Sequence, residues 1–323
     1  MLRVLKRLWP SRRILTHAIR PQVPQISQVI SRAKQPNPIL QVVQRIHPRT
    51  KVRRVLRTMI HQRMMTSKVN ALRESEAREF DERENMGSLL VLVCTYNERE
   101  NLPILIPKIA ETVPQADILI VDDGSPDGTA KWVEQEQRHR SNLRLIERTG
   151  KLGLGSAIQV GMRYAIEHGY SWMLNLDGDM SHDPSVIPSM LKLVPQVDLV
   201  IGSRYVAGGG LQGCSWRRVF VSKMANRLAR WIVGWKIGDC SSAYRLYRVA
   251  SLKQIDLSQM QERGYGFLEE ILAHFLRIGA KVQEVPIVYH ERRLGKSKIS
   301  LQEARSAFSA LLRASRLRRS IRD

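Results

Sequence analysis

The chain has 323 residues and 43% hydrophobic content, enough for one large or two small domains with a buried core, which excludes a wholly disordered polymer. Its formal charge of +22 is unevenly spread: residues 1–85 hold 19 Lys and Arg against 6 Asp and Glu, and residues 86–323 hold 33 against 24. The three scattered cysteines, Cys94, Cys214 and Cys240, form neither a zinc-ligand pair nor a disulfide framework, which suits a reducing cytoplasm. No apolar run reaches the roughly 18–20 residues of a membrane-spanning helix, so a spanning protein is not expected.

The chain opens with a basic segment that has no acidic residue up to Asn70 and no sustained helical or strand periodicity. A signal peptide fails because Pro10, Arg12 and Arg13 interrupt any apolar stretch. Specific nucleic-acid binding is not expected, since no aromatic platform or known motif accompanies the charge. A transit peptide stays open, but a disordered basic arm or an early start site is the expected origin of residues 1–85, because Met86 directly precedes a regular domain.

From Leu89 short apolar runs end in polar turns and alternate with helical stretches, the pattern of an α/β domain with a mostly parallel sheet. Strands are predicted over Leu89–Thr95, Ile118–Asp122, Leu143–Glu147, Trp172–Leu176 and Leu199–Ser203. Helices are predicted over Asn101–Thr112, Thr129–Gln137, Ser156–His168 and Pro184–Leu193. A long amphipathic helix follows over Trp216–Trp235, then a polar turn GDCSSAYRLY, a helix over Gly266–Ile278 and a strand over Lys281–Tyr289. The tail 301–323 reads as a basic amphipathic helix, suited equally to a membrane surface and to packing on the domain.

Three polar clusters fall at strand ends, where open α/β sheets bind ligands. Asp177-Gly178-Asp179 offers two carboxylates in one turn, able to hold a divalent cation against the growing charge of a diphosphate leaving group; an ordinary solvated turn is the bland alternative. In VDDGSPDGT (121–129), an aspartate can accept from a base N–H, Gly124 permits close backbone approach, and Asp127 can cap the next helix. In CTYNERENLP (94–103), Tyr96 and Glu98 supply an aromatic face and a carboxylate for a nucleoside.

VCTYNERENLP, VDDGSPDGTA, GKLGLGSA, LDGDMSH, GSRYVAGG and YHERRLGKSKI stand in the order found in dolichol-phosphate mannosyltransferases and their bacterial polyprenol-phosphate relatives. Over about residues 88–300 the chain thus resembles glycosyltransferase family 2. The resemblance implies a GT-A fold, a Rossmann-like sheet continuous with an acceptor region, in a single catalytic domain over 86–300. It implies that Tyr96, Glu98 and Asp122 or Asp123 hold the nucleoside. Asp177 and Asp179 would bind Mg²⁺ or Mn²⁺, with Ser181 reaching the metal directly or through water. Arg204, Arg218, Ser222 and Arg292 would bind donor and acceptor phosphates, as suits the paired hydrogen bonds of guanidinium, and Lys298 in GKSKI would add a contact. Departures stand at Cys94, where many relatives have Pro, at Ser181, where some have Gln, and at Gly266, where some have Lys. GDCSSAYRLY keeps Asp239, Ser242 and Arg245 of the related pattern Asp-Pro-Thr-Ser-Gly-Phe-Arg.

A phosphate monoester acceptor is already anionic, so in-line displacement with inversion needs positioning and charge relief more than a base. Asp239 is an orienting group or a base. The motif wording favours GDP-mannose, with UDP-glucose or a glycan hydroxyl acceptor as alternatives. Transfer to polyprenyl or dolichyl phosphate places the protein on the cytoplasmic face of a membrane, docked by the tail helix or by a membrane-anchoring partner protein.

Overall fold

The first strand, Leu89–Thr95 (β1), is buried on both faces: Leu89, Val91 and Val93 enter one core, and Leu90 and Leu92 the other. Such a strand requires helices above and below it, and the structure, a computed structural model describing residues 87–194, 196–233 and 236–291, supplies them. The basic extension 1–85 and the tail 301–323 lie outside the described residues.

In chain order, β1 is followed by α1 (Leu102–Thr112), β2 (Asp117–Asp122), α2 (Thr129–Glu136), β3 (Leu143–Glu147), α3 (Leu154–Glu167) and β4 (Trp172–Asp177). A 3₁₀ turn at Pro184–Val186 leads into α4 (Ile187–Leu191), and then come β5 (Leu199–Ser203), β6 (Gly210–Gln212), α5 (Trp216–Val233), β7 (Arg245–Arg248) and α6 (Val249–Leu252). The described chain closes with α7 (Phe267–Arg277), β8 (Val282–Pro286) and β9 (Val288–His290). The seven-stranded sheet has the order β3-β2-β1-β4-β7-β5-β8, parallel except for β7, which runs antiparallel to both neighbours. This is the mostly parallel, helix-covered sheet that the alternating pattern predicts and the GT-A, Rossmann-like layering that the resemblance implies.

One core holds α1 through Leu102, Leu105, Ile106 and Ile109, at the spacing of a single helix face, together with Val133 of α2 and Ile187 and Met190 of α4. The opposite core holds Ala157, Ile158, Met162 and Ala165 of α3 against Phe267, Leu268, Ile271, Leu272 and Phe275 of α7. Gly155 is what lets these two helices touch, because a Cβ there would lie 2.4 Å from Phe267 Cβ and 2.8 Å from the Gly264 carbonyl oxygen. Gly155→Ala is therefore expected to cost about 1–3 kcal/mol through forced separation of α3 and α7, read by urea unfolding.

Two boundaries differ from the sequence reading for physical reasons. The segment 281–289 is not one strand: β8 pairs with β5 and β9 with β6, so the chain changes sheets after Pro286. The turn GDCSSAYRLY ends as the strand β7, whose Arg245 is fully buried and donates to the carbonyls of Ser242, Cys240 and Leu268.

Candidate active site

The sheet register sets the site. Cys94 lies opposite both Val121 and Asp177, and Thr95 opposite Asp122, so β2, β1 and β4 end level with one another and release their polar loops side by side. The strand order reverses direction between β1 and β4, the crevice where such sheets bind ligands. Because β7 is antiparallel, the loop that precedes it, carrying Asp239, arrives at the same edge as the end of β5, carrying Arg204. Asn175 of β4 fixes that loop by donating to the Ala243 carbonyl at 2.7 Å.

The first two loops are laced together. Backbone N–H groups of Asn97, Glu98 and Arg99 donate to Ser125 Oγ, Thr129 Oγ1 and Asp127 Oδ2 at 2.9, 3.1 and 3.0 Å. Asp127 also accepts from Thr129 N–H at 2.9 Å, from one residue ahead of the helix N-cap, which is Gly128. Tyr96 is exposed, with the Lys151 ammonium 4.6 Å from its ring centroid, and Glu98 accepts from Asn101 Nδ2 at 2.6 Å. Asp122 is fully buried and takes hydrogen bonds from Thr95 Oγ1 (2.7 Å), Ser125 N–H (2.8 Å) and Ser125 Oγ (2.6 Å). Asp123 pairs with Arg148, whose Nε donates at 2.6 Å, and accepts from the backbone of Leu152 and Gly153. The two aspartates thus fasten the walls of the crevice, Asp122 to the end of β1 and within its own loop, and Asp123 to Arg148 and the GKLGLGSA loop. Gly124, at φ 64°, completes the second attachment, since a Cβ there would stand 3.0 Å from Gly150.

The third loop is a tight turn. Met180 takes a left-handed φ of 63°, and Ser181 N–H donates to Asp179 Oδ1 at 3.0 Å. Asp179 and Ser181 are buried and Asp177 is half-buried. Ser181 Oγ is buried without a hydrogen-bond partner among the described residues, an arrangement that favours an oxygen-seeking cation beside it. No three carboxylate, imidazole or thiolate groups among the described residues form a metal cage, so a cation here would draw its remaining ligands from phosphate and water, as Mg²⁺ does. Two carboxylates and a hydroxyl are hard oxygen donors, and the residues fit Mg²⁺ or Mn²⁺.

Across the crevice Arg204 forks onto fully buried Asp239: Nε to Oδ2 and Nη2 to Oδ1, each at 2.7 Å, with Arg204 N–H also on Oδ2 at 3.0 Å. Burial pushes the Asp239 carboxyl up, but the hydrogen bonds and charge of Arg204 outweigh it and hold the group below its ordinary value. Glu284 supports the pair by accepting from Gly238 and Asp239 N–H at 2.7 and 2.9 Å. A carboxylate so engaged fixes the plane of the arginine that it pairs with. Ser222, on α5, bonds the Tyr205 hydroxyl at 2.6 Å. A cavity of about 580 Å³ opens beside Arg204 and is edged by Lys223, Arg227 and Arg230 of α5.

His182 joins the two halves, and sequence reading assigned it no role. Its Nδ1 accepts from Asp177 N–H at 3.1 Å, which leaves the ring proton on Nε2. Burial lowers its pKa against the pull of Asp177, so it stays neutral. Its ring stacks on Tyr244 at 4.9 Å and meets Tyr289 edge-on at 5.9 Å, while Arg204 lies 5.8 Å from the same Tyr289 ring. Asp177, Asp179, Ser181, Arg204 and Asp239 thus share one site with Tyr96 and Glu98 on the adjoining loop. Arg148 and Glu284 were also missed, because partners 25 and 45 residues away leave no local signal. The side chains of Arg218, Arg292 and Lys298 lie outside the described residues.

Behind the Asp239 loop, Glu269 is buried, and its Oε2 lacks a hydrogen-bond partner among the described residues. Burial raises its pKa to about 7 from 4.5, partly offset by its own backbone N–H and by Arg245. A raised carboxyl pKa means the folded state binds a proton that the unfolded chain has released. This contribution is therefore complete below about pH 4.5 and is lost as pH rises through about 7. Glu269→Gln should flatten that slope, on the order of 3 kcal/mol, in urea melts at about pH 5 and about pH 8.

The family model described as "Glycosyl transferase family 2" matches residues 90–256. The chain is 38% identical over 212 residues to an undecaprenyl-phosphate mannosyltransferase of Micrococcus luteus, covering 66% of this chain and 87% of that protein. It is 41% identical over 220 residues to a polyprenol monophosphomannose synthase of Mycolicibacterium smegmatis, covering 68% and 83%. Its fold matches a glucosyl-3-phosphoglycerate synthase of Mycobacterium tuberculosis, solved with Mn²⁺, UDP and phosphoglyceric acid, at TM-score 0.53 and 17% identity over 71% of this chain and 78% of the other. The chain belongs to glycosyl transferase family 2 and is a glycosyltransferase.

Proposed function

We propose that the chain transfers a hexosyl group from a nucleotide sugar to polyprenyl phosphate, with dependence on Mg²⁺ or Mn²⁺. The observation that carries this reading is the convergence of an acidic turn with an oriented arginine across one crevice, bridged by His182 and Tyr289. One side suits a cation and a diphosphate, the other an incoming phosphate. The two sequence relatives, both named for mannosyl transfer to polyprenyl phosphates, support the acceptor class.

In this reading Tyr96 and Glu98 hold the nucleoside in a crevice whose walls Asp122 and Asp123 keep in place. A divalent cation held by Asp177, Asp179 and Ser181 would supply Lewis-acid neutralisation of the diphosphate. Arg204, fixed by Asp239, receives phosphate with a preset guanidinium plane, and Ser222 with Arg218, Arg292 and Lys298 completes the phosphate set implied by the resemblance. The acceptor phosphate oxygen attacks the anomeric carbon as the bond to the diphosphate breaks and the nucleoside diphosphate leaves with the electron pair. No proton has to be removed, which agrees with the lack of a disengaged base in Asp239, and a single displacement inverts the anomeric centre.

Mannose from GDP-mannose follows the sequence relatives and the motif wording. Glucose from UDP-glucose is the second reading, favoured by solved structures of this fold that hold UDP-glucose. The deciding experiment incubates the full chain with labelled GDP-mannose or UDP-glucose, Mg²⁺, and polyprenyl phosphate or phosphoglycerate, followed by organic extraction. Cation-dependent label in the organic phase is expected, and the productive donor names the sugar. Label only in the aqueous product would replace the lipid acceptor with the soluble one.

A further inference from the structure

Five of the large exposed hydrophobic side chains among the described residues lie on one helix. On α5, Trp216, Phe220, Met224, Leu228 and Trp231 are all exposed, the two tryptophans by 74% and 80%. Steps of four, four, four and three place them in one stripe along the roughly 27 Å length of an 18-residue helix. Burying such residues in the molecule's own core would have been favourable, so a contiguous exposed stripe marks a contact surface. The helix is anchored through its other face, where Asn226 and Ala229 are buried and Asn226 Oδ1 accepts from Cys240 N–H at 3.0 Å.

Between the stripe and the anchored face runs a row of exposed cations, Lys223, Arg227 and Arg230, which also edges the cavity beside Arg204. No acidic residue occurs anywhere in Trp216–Val233. Apolar side chains flanked by cations, with tryptophan near both ends, form the pattern of a helix lying in a bilayer interface: rings and aliphatic chains enter the acyl boundary, and Lys and Arg reach headgroup phosphates. A second copy of this chain fits less well, because pairing two such faces would set cationic rows together without a counter-charge. The described helices include none long and apolar enough to cross a membrane, and α5, with its polar anchored face, suits lying on one.

We propose that α5 is the docking surface of the protein for an anionic phospholipid bilayer, with the cavity beside Arg204 opening along the line where helix and lipid meet. This goes beyond the acceptor reading, since vesicle binding is measured without any transfer reaction and either can fail alone. It also assigns docking to the catalytic domain itself rather than to the tail 301–323.

The test uses the full chain with sedimenting vesicles of phosphatidylcholine, with and without phosphatidylglycerol. Wild-type protein should bind the anionic vesicles, and Trp216→Ser/Phe220→Ser/Trp231→Ser should weaken partitioning by at least about tenfold while leaving thermal unfolding unchanged. Lys223→Gln/Arg227→Gln/Arg230→Gln should remove most of the salt-sensitive part of binding. Lipids brominated along the acyl chain should quench tryptophan emission in wild type, and a Trp216→Phe/Trp231→Phe variant should bind but lose that quenching. Undiminished binding by the serine variant, or unquenched emission from bound wild type, would overturn the proposal. So would sedimentation equilibrium showing wild type self-associated, the serine variant monomeric and neither on vesicles, which would assign the stripe to a second copy.

Discussion

Asp179→Ala is expected to lower sugar transfer by at least about a thousandfold, with the variant folded and its thermal unfolding close to wild type. Asp179 sits in a tight turn, where its side chain accepts from Ser181 N–H at 3.0 Å, a bond worth about 1 kcal/mol to folding. Its larger effect should fall on the reaction, where removing one of two carboxylates strips charge compensation from a departing diphosphate. Steady-state transfer at saturating donor and titrated Mn²⁺ checks this, and high metal should not restore the rate. Ser181→Ala, which removes a neutral hydroxyl without a partner among the described residues, should lose far less activity and shift the Mn²⁺ requirement upward.

Arg204→Ala should damage stability as well as activity. The substitution strands Asp239, which is fully buried and whose carboxylate oxygens both receive Arg204. Breaking one half of such a pair costs about 3–5 kcal/mol, roughly 6–20 °C in melting temperature for a domain of this size. Arg204→Met/Asp239→Leu should recover much of that loss, since a paired removal leaves no buried charge, but it should recover no transfer. Recovery of the fold without the activity separates the structural work of the pair from the hold on phosphate proposed for it. Thermal melts and transfer assays on the two variants supply both readings.

The parallel part of the sheet was legible because its strands announce themselves: LLVLVCT, DILIVD and LVIGS are unbroken apolar runs buried on both faces. The site was legible where motifs are local, as in Asp177-Gly178-Asp179 at a strand end. It was less legible where function depends on pairing across the fold. The strand RLYR hid inside a polar turn because Arg245 satisfies its guanidinium with three buried carbonyls, which no sequence window contains. His182 likewise looks like the end of a motif until Tyr244 and Tyr289, from two other strand regions, close around it. The resemblance assigns Asp122 or Asp123 to the nucleoside, and in the fold both carboxylates also accept from Thr95, Ser125 and Arg148, partners that strand-end position alone does not reveal. Turn geometry and crevice construction make the same demands on residue type as ligand binding does.

The account stands on one crevice in which the acidic turn holds a cation against a nucleoside diphosphate opposite Arg204. Crystals of the full chain grown with Mn²⁺ and a nucleoside diphosphate should show an anomalous manganese peak in contact with the side chains of Asp177 and Asp179, with the diphosphate between that peak and Arg204. A nucleotide bound elsewhere, or a manganese peak at other residues with the 177–181 turn unchanged, would contradict it.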